Sequence, residues 1–362
     1  MQPTSEWPTH PRGYRLDSPI GFGAFGTVYA ARVTEGPHLR EKIAVKTVDL
    51  EQFPDSNLQD MMREIQVMRL NMHPNIVSYH VCFLSGNQLW LIMPIYAGGS
   101  IADIMRLRFP RGLRDEALIA TILKETLQGL VYIHENFEIH RDLKGANILL
   151  AEDGRVCIGD FGVTARLKEG KVAKTLVGSP CWMAPEVVDP EDTRGYNFKA
   201  DIWSFGITAM ELAHGVPPYY DNPPMKVIML VLKSQPPEMA SSEAWDPSFR
   251  EIINSCLKRD PKERPTADQL LRKRFFSKAR DANYIREQLL TSLPPLENRT
   301  KVPESFYSSK PQVPVKSSGS WDFSASGEQA HLMHNTKPRG DDPLESLAED
   351  EDDPLSRLGD SE

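Results

Sequence analysis

Three side chains, Asp142, Asn147 and Asp160, stand at set spacing in the stretch from His140 to Glu186, HRDLKGANILLAEDGRVCIGDFGVTARLKEGKVAKTLVGSPCWMAPE. Between them lie two short apolar runs, Ile148-Leu149-Leu150 and Val156-Cys157-Ile158, separated by the turn formers Glu152-Asp153-Gly154. This pattern predicts a hairpin with polar groups at both outer ends. Two carboxylates and an amide so placed fit the transfer of a phosphoryl group. One carboxylate orients the attacking hydroxyl, while the second and the amide hold Mg2+ against the phosphates.

Such chemistry needs a cradle for phosphates, and a candidate lies upstream. Tyr14 and Leu16, then Ile20-Gly21-Phe22-Gly23-Ala24-Phe25-Gly26-Thr27-Val28, then Tyr29-Ala30-Ala31 predict two strands joined by a glycine-rich turn. Glycines let backbone N–H groups come close to phosphates. The same GxGxxG spacing occurs in dinucleotide-binding folds, where a helix follows and an acidic ribose ligand comes about 20 residues on. Here a β-type run through Val28 follows instead, and then a third strand, Ile43-Ala44-Val45-Lys46-Thr47-Val48.

The rest of the chain reads as elements that position these groups. Asn57 to Leu70 has helical spacing, with Leu58, Met61, Ile65 and Met68 on one face and Glu64 beside them. Strands are expected over Ile76–Phe83 and Gln88–Pro94, followed by Gly98-Gly99 as a hinge. Asp115 to Glu135 is a long helical pattern. Lys199 to Gly215 is apolar nearly all round and predicts a buried helix that Gly215 closes. Asp201 inside such a helix needs partners, and the backbone of the loop at Asp142 is the expected one. Helices are also expected over Met225–Lys233, Ser248–Lys258 and Thr266–Lys273, with Arg264 as partner of Glu186.

A chain of 362 residues suits one large two-lobed domain or two ordinary ones. Its formal net charge of −8 is unevenly placed. Residues 296–362 hold 14 acidic and 7 basic side chains, while the remainder, with 36 and 35, is close to neutral and offers no basic excess for nucleic acid. Cys82, Cys157, Cys181 and Cys256 have no metal-ligand spacing and read as reduced thiols. The first residues, MQPTSEWPTHPRG, have no apolar core, so no signal peptide is expected. No apolar run approaches the roughly 20 residues that span a bilayer, so no membrane insertion is expected. The expected location is the cytoplasm, with the nucleus also open. Residues 1–13 are expected to form a flexible arm, 277–295 a helical extension, and 296–362 a disordered acidic tail that buries too little apolar surface to offset its chain entropy. Trp321 and Phe323, isolated in that tail, are candidates for a short binding motif.

The order His140-Arg141-Asp142, four residues, Asn147, then Asp160-Phe161-Gly162, then Ala184-Pro185-Glu186 resembles the catalytic and activation segments of protein kinases. Residues 14–276 look like a complete kinase domain. GSPCWMAPEVV, DLKGAN and HPNIVSYH resemble the sterile-twenty-like (germinal-centre) serine/threonine family, and the run from Gly195 to Pro237 is similar to its oxidative-stress-responsive, Fray-like branch. The resemblance implies a bilobal α+β fold, with an antiparallel sheet and one helix in the N-lobe and a mainly helical C-lobe. It implies ATP and Mg2+, and transfer of the γ-phosphate to Ser or Thr of protein substrates in a signalling cascade. Asp142 would receive or orient the substrate hydroxyl's proton. Lys144 would lie along the transferring phosphate, and Asn147 and Asp160 would hold the metal. The segment Ile20, Gly21, Phe22, Gly23, Ala24, Phe25, Gly26, Thr27 and Val28 would cover the nucleotide. Lys46, paired with Glu64, would hold the phosphates. Ala44, Met93, Pro94, Tyr96 and Leu149 would surround adenine. Pro94, without an N–H, could give only its carbonyl there, Tyr96 could give its N–H, and Met93 is either the back of the pocket or plain core.

Relatives carry an activating phosphate four residues before the position of Ser179, which here is Thr175. Its phosphate would add a charge of about −1.5 to −2 and three acceptor oxygens, to be met by Arg141 and Arg166. An upstream kinase or autophosphorylation would supply it, and the pairing would order the polar segment Gly162–Pro180, expected to be mobile before modification. Thr164 is the competing site, and Ser179 is expected to be structural, bonded to the loop at Asp142. Several members of the Fray-like branch carry a C-terminal docking domain; none is expected from residues 296–362. The alternative function is a pseudokinase scaffold or allosteric activator, against which stand Lys46, Asp142, Asn147 and Asp160, all present. Nothing in the sequence specifies an oligomeric state.

Overall fold

A computed structural model describes residues 7–299, apart from 24–25, 51–72, 161–164, 167–171, 174 and 190–194. The N-terminal half is a five-stranded antiparallel sheet, β1 (Tyr14–Gly23), β2 (Gly26–Val33), β3 (Lys42–Asp49), β4 (Val81–Ser85) and β5 (Gln88–Pro94), in the order β1-β2-β3-β5-β4. The alternating side chains of β3 and β5 divide it into two faces, as the two-residue period of a strand requires. Ile43, Val45, Trp90 and Ile92 fill one. Ala44, Val48, Leu89, Leu91 and Met93 fill the other. The turn between β1 and β2 needs its last glycine: Gly26 has φ +157°, and a Cβ there would lie 1.9 Å from the Thr47 carbonyl oxygen.

The N-terminal arm departs from expectation. From Trp7 onward it is packed, not loose. The Trp7 ring lies between His38 and His80, with centroids 3.8 and 3.9 Å away, and the Tyr14 hydroxyl donates to the Pro8 carbonyl at 2.6 Å. A large aromatic finds enough apolar surface on the outer face of the sheet to offset the ordering of a short segment. The strand expected over Ile76–Phe83 begins only at Val81. Residues 75–77 pair elsewhere, Val77 N donating to Ile158 O at 2.9 Å and Ile158 N to Asn75 O at 2.8 Å. The helix expected over Asn57–Leu70, with Glu64, lies outside the described residues.

The second half is helical. A two-residue strand, β6 (Gly99–Ser100), leads into α1 (Ile101–Arg108), an element the sequence reading passed over. α2 (Glu116–Glu135) starts at Asp115, whose carboxylate accepts from the N–H groups of Ala117 and Leu118. β7 (Glu138–Ile139) precedes the expected hairpin of β8 (Ile148–Leu150) and β9 (Val156–Ile158), and β10 (Ala165–Arg166) pairs with β7. After α3 (Pro185–Val188) comes α4 (Lys199–His214), in which every residue from 200 to 213 is buried and which Gly215 closes at φ +87°. α5 (Pro224–Lys233), α6 (Pro247–Cys256) and α7 (Ala267–Leu271) follow, the last two shorter at their C-terminal ends than expected.

One ion pair braces this half. The fully buried Arg264 guanidinium donates to both oxygens of Glu186, at 2.6 and 2.8 Å, and also to the carbonyls of Lys258 and Lys199. It lies over the Trp203 ring, 5.1 Å from the centroid. A buried charge costs several kcal/mol unless it is paired and its donors are used; here both conditions hold. Beyond α7 the chain continues as short turns, including α8 (Ala282–Ile285), and stays packed as far as Arg299, past the boundary expected at 295. The acidic tail from 300 on, with Trp321 and Phe323, lies outside the described residues.

Candidate active site

The polar centre is built on a loop that a buried carboxylate holds. Asp201, in the first turn of α4 and with no exposed surface, accepts from the backbone N–H groups of His140 and Arg141 at 2.9 Å each. It also lies 2.8 Å from Nε2 of His134 on α2. Burial alone would raise its pKa, but the hydrogen bond and charge of His134, with His140, bring the carboxyl below the ordinary range. His140 in turn reaches the Gly159 carbonyl at 3.0 Å. Gly159 N donates to the Asn147 carbonyl at 2.8 Å. The loop carrying Asp142 and Asn147 and the loop carrying Asp160 therefore form one hydrogen-bonded unit. Arg141 and Asp160 both have positive φ, +70° and +58°. Backbone conformations of this kind in non-glycine residues cost on the order of 1–3 kcal/mol each and persist where the surroundings enforce them.

Within that unit the expected groups converge. Asp142 is buried, and its Oδ2 accepts from Asn147 Nδ2 at 3.0 Å and lies 3.0 Å from Lys144 Nζ. Its other oxygen, Oδ1, is buried without a hydrogen-bond partner among the described residues. Asn147 Nδ2 also donates to the Asp142 carbonyl at 2.7 Å, which leaves the amide oxygen of Asn147 as its ligand atom. Lys144 Nζ donates to Ser179 Oγ at 2.6 Å, the contact expected of Ser179. Burial alone would depress the Lys144 ammonium's pKa; Asp142 outweighs it and the net shift is upward. From the sheet, Lys46 Nζ reaches Asp160 Oδ1 at 2.6 Å. Burial alone would raise the Asp160 carboxyl, and the Lys46 charge overrides this and holds it at about 2. The expected Lys46–Glu64 pair lies outside the described residues.

The apolar part of the site assembles from separate elements. Ile20, Ala44 and Met93 belong to one cluster, against which Val28, Tyr96 and Leu149 pack. Ala44 faces Met93 across β3 and β5, and Val28 faces Lys46 across β2 and β3. Pro94 ends β5 opposite Ile43. Gly21 and Thr27 lie in β1 and β2, Gly23 pairs with Gly26, and Phe22 is exposed. Ala24 and Phe25 fall outside the described residues. Val77, Cys157 and Leu296 belong to the same cluster and were not anticipated. For Cys157 a signal existed: it stands between Val156 and Ile158, whose side chains enter the helical core, so strand alternation sends its own side chain the other way.

Glu211 is a further missed group. It is buried on α4, accepts from Gly145 N at 2.8 Å and from Trp182 Nε1 at 3.0 Å, and so ties the helix to the loop and to the Ser179–Trp182 segment. Burial pushes its carboxyl up to about 7, with the Gly145 N–H, Trp182 and Lys144 pulling the other way. A carboxylate inside an otherwise apolar helix was the available signal. The segment expected to be mobile, 162–180, is anchored at its described end. Ala173 and Tyr196 exchange backbone hydrogen bonds, and Val177 is buried. The Tyr196 hydroxyl donates to the Thr175 carbonyl at 2.7 Å and takes a hydrogen bond from Arg141. Arg166 pairs through its backbone with Glu138; Thr164 lies outside the described residues.

Residues 14–276 match the family pattern described as a protein kinase domain. Germinal center kinase 3 of Caenorhabditis elegans is 41% identical over 350 residues, covering 89% of this chain and 57% of that protein. The serine/threonine-protein kinase fray1 of Dictyostelium discoideum is 42% identical over 318 residues, covering 86% and 54%. The fray2 kinase of the same organism is 41% identical over 302 residues, covering 82% and 29%. The likeness to the germinal-centre and Fray kinases expected from the sequence is thus borne out. The chain spans little more than half of the first two relatives and under a third of the other.

The contact between Lys46 and Asp160 makes a pH prediction. A carboxyl held near 2 contributes stability that is present above its ordinary value of about 4 and is lost as the pH falls through 2. In Lys46→Met the main charge opposing burial is lost and only Lys144 and His140 still act against it, so the Asp160 carboxyl binds a proton at higher pH than in wild type. Urea unfolding should show Lys46→Met folded but less stable than wild type at pH 7, with the gap narrowing as the pH falls towards 4. A gap that does not change with pH would show that the pair carries no such linkage.

Proposed function

The chain belongs to the protein kinase family, and we propose that it is an active serine/threonine protein kinase, transferring the γ-phosphate of Mg-ATP to Ser and Thr of protein substrates. One observation carries the reading: Asp142 Oδ1 is buried and without a partner among the described residues, while Asn147 and Lys144 fix its twin oxygen. A buried acceptor left open is costly, and a substrate hydroxyl is the group that would fill it.

The donor set fits the cofactor. Asn147 and Asp160 offer two oxygen ligands, and among the described residues no group of three or more His, Cys, Asp or Glu gathers to hold a metal ion. Two protein ligands, with water and phosphate supplying the rest, is the habit of Mg2+. Held there, Mg2+ would neutralise charge that develops on the phosphate oxygens. The protein's own residues do the rest. Lys46 gives a cation to the phosphates from a rigid strand. Asp142 orients the hydroxyl and takes up its proton, and Lys144, anchored on Ser179, supports the charge of the phosphoryl group in transit. The adenine lies among Ile20, Val28, Ala44, Met93 and Leu149, with Tyr96 N–H and the Pro94 carbonyl at its edge.

General-base and positioning effects are worth roughly 10²–10⁴ in rate. Asp142→Asn should therefore bind Mg-ATP near normally and turn over slower by about that factor. Unchanged turnover with a peptide substrate would remove Asp142 from its role, and loss of the fold would make it structural.

Activation follows from Thr175. Both Arg141 and the Thr175 carbonyl meet the Tyr196 hydroxyl. A phosphate on Thr175 would add charge beside the guanidinium next to Asp142 and exchange a neutral phenol for a charge-assisted partner. An upstream kinase is the expected source. After treatment with an activating kinase, wild type should gain activity by on the order of 5–150-fold, the range of a 1–3 kcal/mol coupling, and Thr175→Ala should not. Equal gains in the two, with phosphate mapped elsewhere, would rule Thr175 out.

A further inference from the structure

Residues 289–299 follow the segment that matches the kinase pattern, yet they lie against the part of the site where the two halves join. Arg108, near the end of α1, donates to the carbonyls of Leu289 and Thr291 at 3.0 and 2.9 Å. The chain then turns through Leu296–Asn298 to Arg299, which is 9% exposed although it carries a charge. The Arg299 guanidinium donates to the carbonyls of Gly98 and Ala97, and through Nε to that of Pro294 at 3.2 Å. Leu296 enters the apolar cluster of Ile20, Ala44 and Met93.

The glycines of the join are shaped by this contact. Gly99 has φ +75°, and a Cβ there would lie 2.6 Å from Arg299 Nη1 and 3.0 Å from Leu296 Cδ1. At Gly98 a Cβ would lie 3.0 Å from Leu290 Cδ2 and 2.6 Å from the Leu150 carbonyl oxygen. Gly98-Gly99, read from sequence as a hinge, is thus a bare backbone on which the later segment seats. Behind it the chain is fixed as well, Gly98 N donating to Leu150 O and Gly99 N to Tyr96 O.

We infer that residues 289–299 are a working part of the nucleotide site: a strap that holds the Tyr96–Gly99 backbone in the form that receives adenine, with Arg299 and Leu296 as its positioning residues. The inference rests on the kinase reading above and adds to it a segment outside residues 14–276. The hydrogen bonds of Arg299 go to backbone carbonyls, and Leu296 packs in the apolar cluster, away from the polar groups Lys46, Asp142, Asn147 and Asp160. Both residues act through the hinge carbonyls and the wall of the adenine pocket, so their effect falls on nucleotide affinity and not on peptide binding. Without Arg299, the two hinge carbonyls of Ala97 and Gly98 lose this donor, the hinge samples other conformations, and the apparent affinity falls in proportion to the competent fraction.

The test uses the full chain as wild type, Arg299→Ala, Arg299→Lys and Leu296→Ala. Affinity for Mg-ADP is measured by calorimetry, and KM for ATP and for a peptide by phosphate transfer. The strap predicts that Arg299→Ala and Leu296→Ala weaken Mg-ADP binding and raise KM for ATP on the order of tenfold, with KM for peptide unchanged. Arg299→Lys, which keeps the charge and one donor direction, should recover part of the loss. Normal nucleotide affinity in both alanine variants, whatever their thermal stability, would overturn the inference and leave a merely structural segment. If Arg299→Ala does not fold, Leu296→Ala decides. A wild type that binds no Mg-ADP overturns the kinase reading itself, an outcome distinct from variants that match a wild type able to bind.

Discussion

Asp201 is a carboxylate with no exposed surface, set in a helix whose neighbouring residues are all buried. Such a group is tolerated only where its hydrogen-bonding capacity is used. Here the N–H groups of His140 and Arg141 and the ring of His134 use it. The consequence is geometric. The loop from His140 to Asn147 cannot move relative to α4 without exposing a buried charge. Arg141 is held at positive φ beside it, and Asp142 and Asn147 follow in fixed register. Glu211, three turns further along the same helix, does the same for Gly145 and brings in Trp182. One helix thus positions both the reacting loop and the segment that carries Ser179.

The sheet supplies the other side of the site, and the two meet where charges of opposite sign face each other. Lys46 is fixed by its place in the middle of β3, between β2 and β5. Asp160 is fixed by the hydrogen bonds of Gly159 to Asn147 and His140. Their 2.6 Å contact spans the two halves, and the apolar cluster from Ile20 to Leu149 lies alongside. Lys46 and Ala44 stand on the same strand, so β3 serves both the phosphate end and the apolar pocket. The protein's covalent demands in such a transfer are small, so positioning of this kind is most of what it must provide.

How much of this could be read from sequence depended on where the partners lie. The β8–β9 hairpin and its flanking polar groups were legible because turn and strand signals are local. Asp201 was legible for a different reason: a charge in an apolar stretch must have a partner. The packing of Trp7 was not legible, since its partners His38 and His80 stand 31 and 73 positions away and carry no pattern that points to it. Nor was the seating of Arg299, whose acceptors are backbone carbonyls that every sequence offers alike. Its surroundings, rich in proline and polar residues, have the composition of a tail. Strand propensity misled at Val77 and Tyr79, where tertiary pairing of residues 75–77 with β9 overrode it.

The central claim is that a buried, open carboxylate oxygen beside Lys144, Asn147 and Asp160 directs phosphate to an aliphatic hydroxyl. It is tested most directly by incubating the purified chain with Mg2+, γ-labelled ATP and a degenerate peptide library, and identifying the labelled residues by mass spectrometry. The account predicts label on serine and threonine. Label chiefly on tyrosine, or release of free phosphate with no labelled peptide, would contradict it.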